Sequence, residues 1–226
     1  MGSVRVLSRS GEPFEDRVEA GCMLAGALDE YRGVNAVVLG VPRGGMVLAW
    51  ELARRLGAQT DLVLARKLGA PGNPELAIGS VSEDGRAFIH DEAVALTGAS
   101  REYIRMEKER AMTEIARRAG RYRQVCPRVG IAGRNVLLTD DGVATGSTME
   151  AAAWAVRRDN PAKVVIALPV APEDTLRRLA KGVDEVVCLR CPPCFQSVGQ
   201  FYRLFEQVED EALLALLEAC TRERSR

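Results

Sequence analysis

Two adjacent carboxylates, Asp140 and Asp141, end an apolar run in the stretch VLLTDDGVATGST, residues 136–148. Side-by-side carboxylates repel each other, so a hydrogen-bond donor or a cation should occupy the space beside them. Sugar hydroxyls meet that need. Hydrated Mg2+ does too, since it favours carboxylates together with substrate phosphates. The next residues, Ala144, Thr145, Gly146, Ser147 and Thr148, lead into the helical stretch MEAAAWAV. Their backbone N–H groups and hydroxyls, placed at a helix N-terminus, make a cup for a phosphate. Carboxylates for a sugar next to a cup for a phosphate describe a sugar-phosphate ligand. The stretch is not a Walker loop: no G-x-x-x-x-G-K-[ST] occurs, and no strand is followed by G-x-G-x-x-G.

Two more loops carry suitable groups. VPRGGM (41–46) follows a short apolar run and opens a helix. Gly44 and Gly45 let backbone N–H groups approach an anion closely, and Arg43 can grip a phosphate with two hydrogen bonds. A plain glycine-rich turn between strand and helix would read the same way. RKLGAPGNPE (66–75) puts Arg66 and Lys67 where a second strand leaves the sheet, ahead of a Gly/Pro-rich segment. Two cations there suit a polyanion, or are a pair of solvated surface charges. Cys191 and Cys194 have C-x-x-C spacing within CLRCPPC. No second ligand pair accompanies them, the only histidine is the distant His90, and Pro192-Pro193 oppose the helical arrangement of a redox pair. They read as loop thiols with no metal.

The elements that position these loops follow from hydrophobic period. Continuous apolar runs at 35–40, 61–65, 135–139, 163–168 and 185–189 read as strands covered on both faces. Helical spacing appears at 14–31, 45–56, 100–122, 147–158, 173–180 and 210–220. Between them, GAPGNPELAIGSVSEDGRAF reads as a loop with a hairpin whose arms are LAIGSV and AFIH. Strand–helix alternation predicts an α/β fold with a mostly parallel sheet and right-handed crossovers. Ligands of such sheets bind at the carboxyl ends of the strands, where all three loops fall.

The bulk properties are ordinary. The chain has 226 residues, 47% apolar and 27% charged, which suits one soluble globular domain with a real core. Positive and negative side chains balance at 31 each, so net charge gives no pointer to nucleic acid or membrane. No apolar run is long enough to span a bilayer, and the first residues show no signal-peptide pattern. The expected compartment is therefore the cytoplasm, where the six cysteines are not expected to form disulfides.

VLLTDDGVATGST resembles the phosphoribosyl-pyrophosphate (PRPP) signature of the type I phosphoribosyltransferases: four apolar-type positions, two acids, then a small-residue loop. The resemblance implies a single domain with a PRTase-like core (about 35–170), a lid (69–85) and a small hood formed by terminal segments (about 188–226). It implies that Asp140 and Asp141 hold the ribose hydroxyls and that Ala144, Thr145, Gly146, Ser147 and Thr148 hold the 5′-phosphate. Arg43, Gly44 and Gly45 match the family's pyrophosphate loop, which often contains a cis peptide. Arg66 and Lys67 would assist there. FQSVGQFYRLFEQ (195–207) resembles a run in the hood of purine phosphoribosyltransferases, which makes Phe195 a candidate to stack on a base, or a core aromatic. The chain also resembles a group of bacterial phosphoribosyltransferases, of open acceptor, that share L-G-[VL]-P-R-G-G, R-K-[LV]-G-A-P-G-N-P-E and D-D-G-V-A-T-G.

One position departs from part of the family. The hypoxanthine/guanine enzymes have an aspartate as candidate base where this chain has Ala144. The adenine enzymes also have alanine there and take an acid from the lid, so Glu75 is the catalytic candidate here and Glu83 the second; either could be a solvated loop acid. The implied activity is transfer of phosphoribose from PRPP, with Mg2+, to a nitrogen acceptor such as a purine-type base, with release of pyrophosphate. Mg2+ would be held through PRPP and water near Asp140 and Asp141, with no direct protein ligand assigned. The alternatives are a PRPP-sensing regulatory protein without transferase activity and a PRPP hydrolase. No nucleic acid or membrane partner is expected, and a homodimer is expected from the family alone.

Overall fold

The apolar runs become five of the six strands of a sheet in the computed structural model, which describes residues 2–224. Its strands are β1 (Ser3–Ser8), β2 (Ala36–Gly40), β3 (Gln59–Leu62), β7 (Asn135–Thr139), β8 (Lys163–Val170) and β9 (Glu185–Arg190). They lie in the order β1-β9-β8-β7-β2-β3, and every pairing is parallel. A separate antiparallel sheet is formed by β4 (Ala65–Ala70), β5 (Asn73–Ser82) and β6 (Ala87–Ile89). The α-helices are α1 (Arg17–Ala27), α2 (Gly45–Leu56), α3 (Asp91–Thr97), α4 (Arg101–Val125), α5 (Ser147–Arg157), α6 (Glu173–Leu179) and α7 (Asp210–Arg224).

Successive strand residues point to opposite faces, so each central strand feeds two cores. Val38, Leu137, Val165 and Val187 pack with Leu24, Leu48, Leu52 and Leu213 from α1, α2 and α7. Val37, Leu39, Val136, Leu138 and Ile166 pack with Met149, Val156, Leu176 and Leu179 from α5 and α6. Burial on both faces explains why β2, β7 and β8 read as unbroken apolar runs rather than alternating ones. Each large side chain buried this way contributes about 1.5–3 kcal/mol before the entropy of ordering is counted.

The topology sets the site. From β2 the chain runs through α2 to β3 on one side, and from β7 through α5 and α6 to β8 and β9 on the other. The direction of winding reverses between the neighbours β2 and β7, which leaves a crevice outside their carboxyl ends. The loop after β2 carries Arg43, Gly44 and Gly45; the loop after β7 carries Asp140 and Asp141.

Several elements differ from the sequence reading. β3 ends at Leu62, not near Ala65, because Asp61 is buried and pinned. Its carboxylate accepts from Arg123 Nη1 at 2.6 Å and from the Val129 N–H at 2.8 Å. Arg66 and Lys67 therefore lie within β4 instead of at the end of a core strand. Residues 69–85 form most of the antiparallel sheet, and the expected hairpin is β5–β6. The first helix starts at Arg17, since Asp16 caps it by accepting the Glu19 N–H at 2.8 Å. β1 and α3 had no clear sequence signal. The loop before α1 and the segment before α7 meet beside the crevice: the Phe14 N–H donates to the Phe201 carbonyl at 2.8 Å, and the Arg203 N–H to that of Phe14 at 2.8 Å. Among the described residues, no helix is long and apolar enough to cross a membrane.

Candidate active site

Asp140 and Asp141 leave β7 at the switch point, and the loop after β2 packs against them. The Gly45 N–H and the Asp141 N–H hydrogen-bond the Asp140 carboxylate, the latter at 2.9 Å. A Cβ on Gly45 would lie 2.8 Å from Asp140 Cα and 2.9 Å from the Thr139 carbonyl. A Cβ on Gly44 would lie 2.0 Å from Asp141 Oδ2. A side chain at Gly45 would meet backbone, and one at Gly44 would push the Asp141 carboxylate aside, so the double glycine follows from the approach of this loop to the acids. The Pro42–Arg43 peptide in the same loop is cis.

The two acids are electrically unequal. Burial, and then the charge of Asp141, hold the Asp140 carboxyl well above the usual carboxylate range. Burial also raises Asp141, but Arg17 opposes it: Arg17 Nε donates to Asp141 Oδ2 at 2.9 Å. The Tyr202 hydroxyl donates to the Asp141 carbonyl at 2.6 Å. No motif marked Arg17, and Tyr202, though inside the 195–207 run, was assigned no role there, since both lie far from residue 141 in sequence.

The cup is built at the start of α5. Gly146 takes the left-handed conformation (φ 68°) at the N-cap, and no side chain caps the helix there. The first-turn amides are thus left without a capping side-chain oxygen, and the helix start is suited to an anion. From α6, Thr175 Oγ1 donates to the Ala144 carbonyl at 2.7 Å and Arg178 donates to that of Thr145. Ser147 is buried, with its hydroxyl 3.2 Å from that of Thr145 and 3.2 Å from Lys67 Nζ. Thr148 is exposed on the first turn. Lys67 also meets Glu75 at 3.0 Å, so this acid stands near the start of α5 through the lysine.

Other candidates lie apart. Neighbours on a strand face opposite ways, and Arg66 pairs with Glu114 of α4 while Lys67 faces Ser147. Glu83 is not at the crevice: Arg123 donates to both its carboxylate oxygens, each at 2.9 Å, and Arg123 also binds Asp61. That network ties α4 and the β5–β6 turn to β3, a structural role. Arg43 leans towards Glu209 and Asp210 at 3.7 and 3.6 Å. Such partly exposed pairs are worth about 0–1 kcal/mol, which leaves its guanidinium free to turn to a ligand. Phe195 is half-buried, its ring 5.2 Å from that of Phe201. It borders a cleft of about 630 Å³ together with Ala144, Thr145, Thr175, Cys191 and Pro192. Cys194 is exposed, and burial pushes the Cys188 thiol up to about 12 and raises that of Cys191. His90 caps α3, its Nδ1 accepting the Ala93 N–H at 3.3 Å.

A doubly wound parallel α/β sheet has its ligand crevice at the switch point, and an uncapped helix start there is suited to an anion. Comparison with known proteins narrows this. The phosphoribosyl transferase domain model matches residues 17–206. Two Mycobacterium tuberculosis proteins, from strains CDC 1551 / Oshkosh and H37Rv, bear the provisional name phosphoribosyl transferase. Each is 41% identical over 210 residues, 93% of this chain and 47% of its own length. The chain thus spans about half the length of the curated relatives it matches. The crystal structure of TT1426 from Thermus thermophilus is similar with a TM-score of 0.86 and 46% identity, over 92% of this chain and 98% of that one. The chain belongs to the phosphoribosyltransferase family.

Proposed function

We propose that the protein transfers the phosphoribosyl group of PRPP, with Mg2+, to a nitrogen nucleophile and releases pyrophosphate. The observation that carries this reading is the meeting, at one switch point, of the acid pair Asp140–Asp141, the close-packed Gly44–Gly45 backbone and the uncapped start of α5. Asp140 and Asp141 would take the ribose hydroxyls and favour positive character on the ring as the bond at C1 breaks. The 144–148 amides and hydroxyls, with Lys67 beside them, would hold the 5′-phosphate. Arg43 and the Gly44–Gly45 segment would hold the pyrophosphate. Arg66 keeps its pairing with α4 in this reading.

Among the described residues, no group of three or more His, Cys, Asp and Glu forms a metal site. The residues present fit an ion that keeps oxygen ligands from substrate and water, as Mg2+ does. Bound in that way, Mg2+ would neutralise charge on the leaving pyrophosphate. The acceptor, a purine-type base in the favoured case, would enter the cleft beside Ala144 and Thr145 with Phe195 against its face. Glu75 would come to the reacting nitrogen from the lid, by closure of the β4–β5 tip over the crevice, which would also exclude water.

The test is calorimetric titration of PRPP with and without Mg2+, on the wild type and on Asp140→Asn/Asp141→Asn. Magnesium-dependent binding by the wild type, lost in the double variant, is expected. No binding by the wild type would overturn the reading.

A further inference from the structure

Arg17 is the one cation inside the acid pair's contact shell among the described residues, and it is held there by a column of rings. Its Nε donates to Asp141 and its Nη1 donates to the Glu206 carbonyl at 2.8 Å. Its guanidinium lies 4.0 Å above the Phe205 ring. Phe205 stacks on Tyr202 with centroids 4.9 Å apart and 22° between planes. Tyr202 meets Phe14 at 5.5 Å, and the Arg190 guanidinium covers Phe14 at 3.7 Å. Five side chains thus form one column, cation–ring–ring–ring–cation, built from both ends of the chain and β9. It holds Asp141 twice, through Arg17 at the carboxylate and through Tyr202 at the carbonyl.

We propose that Arg17 is a positioning residue of the sugar-phosphate site: it fixes the Asp141 carboxylate for the ribose hydroxyls and makes that position depend on the seating of the terminal hood. The inference rests on the phosphoribosyl reading above for the ligand, but not for the coupling. The side chains of Arg17 and Asp141 are 12% and 17% exposed, so solvent screens the pair little. Arginine suits the task because its flat guanidinium can stack on Phe205 while two of its N–H groups point to Asp141 and Glu206. A lysine keeps the charge but loses the stack and one of the two directed bonds. The hood therefore does more than cover the crevice: residues 201–206 set a group that the ligand must meet. Gly44 is part of the same arrangement, since a Cβ there would also stand 3.0 Å from Arg17 Nε.

The experiment compares Arg17→Met, Arg17→Lys and Phe205→Leu in the full chain, with two readouts at a temperature where all remain folded. The first is amide hydrogen exchange without ligand. Arg17→Met and Phe205→Leu are expected to speed exchange in both 139–142 and 201–206, and Arg17→Lys to do so partly. Unchanged exchange at 139–142 in both Arg17→Met and Phe205→Leu would overturn the coupling. The second is PRPP affinity by calorimetry. Loss of the charged hydrogen bond should weaken binding roughly 10- to 100-fold in Arg17→Met, with Arg17→Lys between it and the wild type. Equal affinity in Arg17→Met and the wild type would overturn the positioning role. A wild type that fails to bind PRPP refutes the transferase reading alone, and the exchange result then decides the coupling.

Discussion

Replacing Gly44 by alanine adds one methyl group at the most crowded point of the crevice. The new Cβ would start 2.0 Å from Asp141 Oδ2, 2.8 Å from its Cγ and 3.0 Å from Arg17 Nε. Comfortable contact is roughly 3.5 Å. The carboxylate must therefore retreat by roughly 1.5 Å, or the loop must back away by as much, and the 2.9 Å bond to Arg17 cannot survive at hydrogen-bond length. Overpacking of this kind costs about 1–3 kcal/mol. The upper end applies, because a charge-assisted hydrogen bond worth about 1.5–3 kcal/mol is lost while both partners stay largely buried. At about 2–4 °C per kcal/mol for a chain of this size, a loss near 3 kcal/mol lowers Tm by about 6–12 °C. Urea and thermal unfolding measure this directly. The same substitution at Gly120, inside α4 with nothing within 4 Å of a new Cβ, should stabilise by up to ~1 kcal/mol and is the matched control. In the Arg17→Met background the cost of Gly44→Ala should shrink, with a coupling of about 0.5–3 kcal/mol in the double-mutant cycle. If Gly44→Ala stays within about 0.5 kcal/mol of the wild type and shows no coupling to Arg17, then the loop does not pass over the pair and the account of the crevice is wrong.

Other consequences can be checked separately. Lys67→Met should weaken PRPP binding roughly 10- to 100-fold by removing the cation at Ser147, whereas Arg66→Met, facing Glu114, should change it less than about threefold; equal effects in calorimetry would contradict the split of the two cations between faces. Asp61→Asn leaves the Arg123 guanidinium short of one buried partner and should cost about 3–5 kcal/mol in urea unfolding; a loss under about 1 kcal/mol would show that the network does not anchor α4 to β3. Because the Asp140 carboxyl is raised in the native state, the folded protein binds more protons than the unfolded chain from pH ~3.9 upward. Its contribution to stability therefore falls as pH rises through the interval between the unfolded and native values. Asp140→Asn should flatten the stability–pH curve over that interval, and a curve that keeps the wild-type slope would show that burial does not raise the Asp140 carboxyl.

The alternation of the core was legible because it depends on local chemistry. Two-sided burial leaves unbroken apolar runs, which marked β2, β7 and β8 to within a residue or two. β1 escaped notice because it is an edge strand, with Val4 and Leu7 partly exposed, and only pairing with β9 makes it a strand. The glycines after β2 and the small residues after β7 were readable for a related reason: a close approach or a helix start restricts residue type within a few positions.

The amino-acid sequence alone determined the class of fold, the position of the crevice at the strand ends, and the residue types of the candidate site there. Only the tertiary structure decided which charges face it. Arg66 and Lys67 are neighbours in sequence but lie on opposite faces of β4, so one serves α4 and the other the cup. Glu83, a lid acid by position, became part of a buried network with Arg123 and Asp61. Arg17 reached Asp141 across 124 positions. Backbone conformation and apolar period are set by near neighbours, whereas an ion pair is set by where the fold brings two long side chains together and how little water remains between them.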